Sequence, residues 1–439
     1  MFSKRSIMNI RYLQMGVIVA LSVCSAATHS ALIDRLPDNE KQAALQIFKL
    51  ANKPINDNLI WVEGKNYEWD GYHDRYLRVK YANGKRATLR PAKHRIMVDR
   101  QFRIVFIASK LTTMNNLILL KHFSRLKAFR FEDAKIKDFS TLPNMQNLEE
   151  IMLRYSGMTS MKGLRNAPNL TALDLEGNKI QKIEHLEKMK KLKRLHLIGN
   201  NIQKIDGLSH NINLEYLELE QNINGFSKLE GLASLKKLKI LNLAFNKNVK
   251  KIEGIDTLKN LIYLDLAQCS IEKIENLQNN VNLLRLRLSY NRIAKIEGLA
   301  TLTKLEYLTL NKNRIRKLEN LENLSNLKVL QLKDNPISKI ENLENLTELR
   351  KLYLRNALIT RFEGMDNLSK LIELDIMGTG IKNIENVGGL KSIAFIFFPA
   401  GVRDLPQNKK AYENLNKLMR VNGKKKAEDY LTYVHDRYF

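Results

Sequence analysis

The chain has 439 residues, a formal net charge of +27, 44% hydrophobic residues and two cysteines. That hydrophobic content excludes a predominantly disordered chain, and so few cysteines exclude a disulfide-built scaffold. A positive field of this size attracts polyanions, although lysines spread over solvated faces produce the same total.

At the N-terminus Lys4, Arg5 and Arg11 precede an apolar run from Met15 to Val23, which ends in Ser25, Ala26 and Ala27. This is the order of charge, apolar core and small residues found in a secretory signal, so residues 1–27 are read as a cleaved signal peptide. The run is too short to span about 30 Å of hydrocarbon as an anchor. Leu21-Ser22-Val23-Cys24 loosely resembles a lipobox, but Val23 is bulky where such signals carry a small residue. The expectation is therefore export: secreted, periplasmic or at the cell surface. With Cys24 in the signal, Cys269 is left alone.

Residues 32–103 read as a small α+β cap. Asp38 starts a helix running to about Ala51, with Leu45 and Phe48 facing inward. Aromatics follow at Trp61, Tyr67, Trp69 and Tyr72. Leu77, Val79 and Tyr81 then alternate with Arg78 and Lys80 before Asn83-Gly84, and Ala87 to Arg90 form the return strand of a hairpin.

Residues 104–398 are repetitive. The segment LTALDLEGNKIQKIEHLEKMKK from Leu170 is followed from Leu192 by LKRLHLIGNNIQKIDGLSHNIN, and the register returns at Leu283, Leu305, Leu327, Leu349 and Leu371. Copies also begin at Leu148 and Leu126, with a degenerate one at Ile104. The copies from Leu214 and Leu238 are stretched, by about two residues near Gly225 and by about one. About 13 repeats result, the terminal ones degenerate. In each, alternating residues such as Leu308 and Leu310 mark a short strand with one buried face. Ile315, Leu318, Leu321 and Leu324 point inward from the return segment. An asparagine ends the strand in the column Asn178, Asn200, Asn222, Asn246, Asn291, Asn313 and Asn335, where an amide can satisfy turn backbone groups. Cys269 occupies the same column and is read as structural. A basic column including Lys182, Lys204, Lys295, Lys317 and Lys339 runs beside an acidic one; both are read as solvated ladders.

Beyond Phe398, residues 399–439 read as a helical C-terminal cap. Two helices are expected, Gln407 to Val421 and Ala427 to His435, broken at Asn422-Gly423.

The pattern LxxLxLxxNxIxKIExL resembles the 22-residue leucine-rich repeats of bacterial internalins, and is also similar to those of the phosphatase 1 regulatory subunit. The resemblance implies an α/β solenoid: a right-handed leucine-rich-repeat horseshoe with a parallel concave sheet and short 3₁₀ segments on the convex side. It also implies protein binding, mostly through the concave sheet, without enzymatic activity.

The side chains pointing out from the strands are then the candidate site. One column reads Arg194, Tyr216, Ile240, Tyr263, Arg285, Tyr307; the next includes Glu218, Asp265, Arg287 and Tyr353. Aromatic residues with arginine are what binding hot spots use, and consecutive strands hold them about 4.8 Å apart. No nucleophile and base accompany His196, and no zinc, calcium or phosphate-binding motif is present, so neither a catalytic site, a metal nor a cofactor is expected. The expected partner is a protein on the concave face of a monomer. An anionic lipid or polysaccharide surface contacted through the basic caps is the alternative. An intracellular phosphatase-type regulator or effector requires the signal to go unused. Nucleic acid is disfavoured, because the face carries both signs and lacks a continuous basic lining.

Overall fold

The computed structural model describes residues 36–50, six strands between 59 and 110, and residues 111–438 apart from 385 and 386. The signal-peptide segment lies outside the described residues. Among those described, no helix is long and apolar enough to cross a membrane. The chain divides into two compact units: residues 1–136 with 141–153, and residues 137–140 with 154–439.

The first unit opens with the helix Asp38–Leu50. Its acidic first turn, Asp38 and Glu40, favours that end through the helix dipole. Ala43, Ala44 and Ile47 are buried, whereas Leu45 is 37% exposed. Leu45 is thus turned away from the inward face expected for it, which Ala43, Ala44 and Ile47 form instead; the Phe48 side chain lies outside the described residues. The expected hairpin is present, with Leu77–Lys80 antiparallel to Arg86–Leu89. Asn66–Tyr67 adds a third strand to it. In a second sheet Leu59–Trp61 runs parallel to Arg95–Val98, which pairs antiparallel with Ile104–Lys110. Ile104–Lys110 lies parallel to Ala128–Glu132, with Phe106 opposite Ala128. That offset of one repeat makes Ile104–Lys110 the first strand in repeat register.

The second unit is a solenoid. Eleven three-residue strands from Ala172–Asp174 to Phe395–Phe397 pair parallel, each with the next. Parallel strands need a return path, and here the leucine-lined segment of every repeat provides it. Leu305, Leu308, Leu310, Ile315, Leu318, Leu321 and Leu324 are all fully buried. At about 1.5–3 kcal/mol for each buried leucine or isoleucine, this core is the main favourable term. The central returns are successive turns with a bond every third residue, Leu302 N–H to Leu299 O and Leu305 N–H to Leu302 O. Longer 3₁₀ segments occur at Leu164–Asn166, Val387–Gly389, Val402–Asp404 and Pro406–Asn408.

The asparagine column forms a hydrogen-bonded ladder. Asn313 Nδ2 donates to Leu288 O at 2.9 Å and to Leu310 O at 3.0 Å, while its Oδ1 accepts from Ile293 N–H at 3.0 Å. Asn200, Asn222, Asn291 and Asn335 repeat the acceptor bond one repeat back. Past Asn335 the column is continued by Ala357, which has no polar side chain, and two rungs in its middle are incomplete. Buried Asn246 Oδ1 has no partner, because in the stretched repeat Phe226 N–H has turned to Ile202 O. Cys269 fills the next position, where its thiol donates to Leu243 O at 3.4 Å. Burial pushes that thiol's pKa up to about 12, so it stays protonated at neutral pH, in keeping with a structural role.

At the far end Asn408 supplies a substitute rung. It accepts from Ile384 N–H at 2.8 Å and donates to Lys382 O and Val402 O. The C-terminal element is one helix, Lys409–Tyr438, not two. A glycine inside a helix costs only about 1 kcal/mol, and Asn422 is held by bonds from Nδ2 to Lys391 O and Ile393 O. Asn422-Gly423 therefore continues the helix instead of turning.

Candidate functional site

The face of the sheet opposite the leucine core is built by four positions per repeat. Two flank the central strand leucine, as Tyr307 and Thr309 flank Leu308, and two follow the strand, as Asn311 and Lys312 do. Ladder pairing puts Arg194, Tyr216, Ile240, Tyr263, Arg285 and Tyr307 in one row on six adjacent strands. Glu218, Asp265 and Arg287 fall in the neighbouring row. Tyr353 belongs to that row too, three strands beyond Arg287.

Exposure departs from the expectation at three of these positions. Asp265 is 2% exposed, Tyr307 6% and Ile240 9%. The reason is the neighbours one repeat away. Arg285 lays its guanidinium over the Tyr307 ring at 4.7 Å. Arg287 Nη1 lies 2.8 Å from Asp265 Oδ2, and Tyr263 OH donates to the same oxygen at 3.0 Å. Arg287 also donates to the Tyr263 hydroxyl at 3.2 Å. Tyr263, Asp265 and Arg287 thus form a closed triangle that holds each side chain in place. Asp265 also accepts from Ala267 N–H at 2.9 Å. Burial lifts the Asp265 carboxyl above its usual range, with Arg287 pulling the other way. Burial, then the Asp265 charge, hold the Tyr263 phenol protonated well above its ordinary pKa.

A second network lies toward the start of the solenoid. Arg154 Nε donates to Asp174 Oδ2 at 2.9 Å, and its Nη1 lies 3.1 Å from Glu176. His196 is buried with Nδ1 3.9 Å from Asp174, a salt-bridge geometry in which no nucleophile takes part. Asn242 Nδ2 donates to Glu220 at 2.8 Å. Glu220 is nevertheless lifted, by burial first and then by the charge of Asp265, against the Asn242 bond. Toward the other end Asp375, buried, receives Lys333 and Arg355 at 3.0 Å each, and Lys333 also sits 4.5 Å over the Tyr353 ring. No group of three or more metal-type side chains gathers among the described residues.

One column was missed in the sequence reading. The last of the four positions adopts a left-handed backbone in repeat after repeat, at Tyr155, Gln221, Phe245, Gln268, Tyr290 and Lys312, with φ between 52° and 62°. Gly177, Gly199 and Gly378 fill the same position elsewhere. Those three glycines were the readable signal. Where a side chain replaces glycine it stands out on the rim, and Tyr290 is 47% exposed, with Lys312 Nζ 4.9 Å from its ring.

The family model of leucine-rich repeats matches residues 168–210, 281–323 and 325–370. Among solved structures, the functional domain of InlJ from Listeria monocytogenes is similar over 63% of this chain, with a TM-score of 0.52 and 19% identity. The match spans 64% of that domain's own length. An internalin of the same organism, InlF, is similar over 67% of this chain and 86% of its own, with a TM-score of 0.50 and 24% identity. A leucine-rich-repeat protein of Leptospira interrogans covers 58% of this chain and 72% of its own length, with a TM-score of 0.48 and 24% identity. No curated relative matches the chain.

Proposed function

The chain being an internalin-like leucine-rich-repeat protein, we propose that it is an exported scaffold that binds another protein through the open face of its sheet. The observation that carries this reading is the row Tyr216, Ile240, Tyr263, Arg285 and Tyr307, set side by side by ladder pairing on the face away from the core. Aromatic and arginine side chains fixed before a partner arrives lose little entropy on binding. The triangle of Tyr263, Asp265 and Arg287 supplies that fixation. Arg194, Glu218 and Tyr353 extend the face on either side. The order of charge and apolar residues in segment 1–27 supports export.

The test is capture of surface and extracellular proteins on the immobilised chain, with the double variant Tyr263→Ala/Arg285→Glu in parallel. Two hot-spot losses are expected to weaken the specific partner by about 100-fold or more while the melting transition stays cooperative. A partner held equally by both proteins removes the site assignment. Mass determination of the native N-terminus decides export: a species starting near Thr28 outside the cytoplasm supports it, and an intact Met1 in the cytosol overturns it.

A further inference from the structure

Beyond the open face the chain turns over a rim, and there the central repeats differ from their neighbours. The first rim row is the left-handed column, where Phe245, Gln268, Tyr290 and Lys312 lie on successive repeats with φ between 52° and 62°. Two residues on, past the ladder position, a second row reads Lys247, Ser270, Arg292 and Arg314. The lysine column Lys251, Lys273, Lys295 and Lys317 follows, exposed throughout, as are Lys247, Arg292 and Arg314. Between the row and the column Lys250 and Arg316 add charge and Glu272 subtracts it.

On either flank the lysine column is paired, Lys228 with Glu230 at 3.3 Å and Lys339 with Glu341 at 3.5 Å. In the four repeats between, none of its lysines makes an ion pair among the described residues, and neither do Lys247, Arg292 and Arg314. The strip ends at Gln221 and Ile223 on one side and at Asp334 and Pro336 on the other. Aromatic residues in the left-handed column meet a steric cost that glycine avoids at Gly177, Gly199 and Gly378. Tyr290 keeps that strain while standing out on the rim, where packing does not repay it, and strain held at such a place points to use.

Phe245 with Lys247 and Tyr290 with Arg292 are two repeats apart, roughly 10 Å at the spacing of paired strands. That is the length of two β-linked pyranose rings. Between them Gln268 and Ser270 form an uncharged rung. A ring beside a cation suits an acidic sugar, with its C–H face on the ring and its anion on the cation. The amide rung suits a neutral sugar. Lys312 Nζ, 4.9 Å from the Tyr290 ring, helps to hold that ring in place. The basic zone is also narrow, because Glu253, Glu275, Glu297 and Glu319 run two residues beyond the lysines. A flat anionic membrane would press on those acids as well, whereas a single chain lies within the strip.

We infer that this strip is a second binding site, taking a linear β-linked polysaccharide in which an acidic sugar alternates with a neutral one. The polymer runs along the rim, with acidic sugars at Phe245 and Tyr290 and a neutral one at Gln268. Lys247 and Arg292 take their carboxylates, and the lysine column holds the chain along its length.

The probe is a hyaluronan decasaccharide, labelled at its reducing end and titrated with the full chain by fluorescence anisotropy. Arg292→Glu/Lys295→Glu is expected to weaken binding by at least about tenfold. Phe245→Gly/Tyr290→Gly should do the same at unchanged charge, with the residue that the column itself uses at Gly199. A cooperative circular dichroism melt shows that each variant is folded. Unlabelled hyaluronan hexasaccharide should compete at least about tenfold better than the uncharged N-acetylglucosamine hexasaccharide. Tyr263→Ala, on the open face, should leave the affinity as it was. No binding of hyaluronan, full affinity in either double variant, or equal competition by the uncharged sugar overturns the inference. Loss of binding in Tyr263→Ala moves the polymer to the open face and overturns it too. Phosphatidylglycerol vesicles or a thymidine decanucleotide, held more tightly than hyaluronan and released by the same variants, would make the strip a membrane or nucleic-acid surface instead.

Discussion

Replacing Gly298 by alanine is expected to destabilise the protein by about 3 kcal/mol, while the same change at Gly199 costs about 1 kcal/mol. Both glycines have a left-handed backbone, at φ 69° and 63°, so both substitutions meet the steric cost of a Cβ in that region. Only Gly298 is also pressed against a neighbour. A Cβ there would lie 2.3 Å from Ile274 O, whereas at Gly199 the nearest atom is 3.7 Å away. The close contact is a column property. Gly207, Gly231, Gly254 and Gly364 each face a carbonyl of the preceding turn in the same way, at 1.9–2.3 Å. Asn276, Asn320 and Asn342 occupy the column in other repeats, with φ of 57–61°. There Nδ2 donates to the corresponding carbonyl at 2.6–2.7 Å. Gly298→Asn should therefore recover part of the loss that Gly298→Ala incurs. Urea unfolding followed by circular dichroism ranks the three variants, and equal losses for alanine at 298 and 199 would contradict the steric account.

Asn313→Leu is the second large effect, expected at about 2–4 kcal/mol. The leucine fits a buried position but leaves Ile293 N–H without its acceptor, and it takes one of two amide donors from Leu288 O and from Leu310 O, which keep Asn291 and Asn335. One buried N–H left unpaired costs about 1–3 kcal/mol, and the lost bonds to the two carbonyls add a smaller amount. Asn326→Ala is the control. Asn326 also bonds a carbonyl one repeat back, Thr303 O at 2.8 Å, but at an exposed place, where water replaces the lost bond. The effect should be local as well as large. Hydrogen exchange at the Ile293 amide is expected to accelerate in Asn313→Leu and to stay unchanged in Asn326→Ala. Comparable midpoints for the two would mean that the amides decorate the turns without closing them.

The register of the site was legible because a repeat constrains itself. Leu308, Leu310 and Asn313 have counterparts 22 residues away with the same packing task, so aligning the copies also aligns Tyr263 with Arg285 and Tyr307. Side-chain exposure was not legible in the same way. The burial of Tyr307 comes from Arg285 and that of Asp265 from Arg287, and which rotamers fold across a strand gap is not written in periodicity. The IEGL and IENL alternation was visible in the sequence but carried no meaning until φ was known. Asn422-Gly423 misled for the opposite reason. The dipeptide favours a turn locally, and two hydrogen bonds to the last repeat keep it helical.

The two incomplete rungs have a mechanical consequence. Asn246 lacks its donor and Cys269 offers a weaker bond, whereas the rungs at Asn222 and Asn291 on either side are complete. In a stack where each turn touches only its neighbours, stiffness is set turn by turn. Under tension or bending the array is expected to yield at its weak rungs, between Asn222 and Asn291 and again at Ala357, where the column carries no amide. Compliance at these places lets the open face change its curvature around a partner bound there, and they mark where a pull along the array would begin to release it.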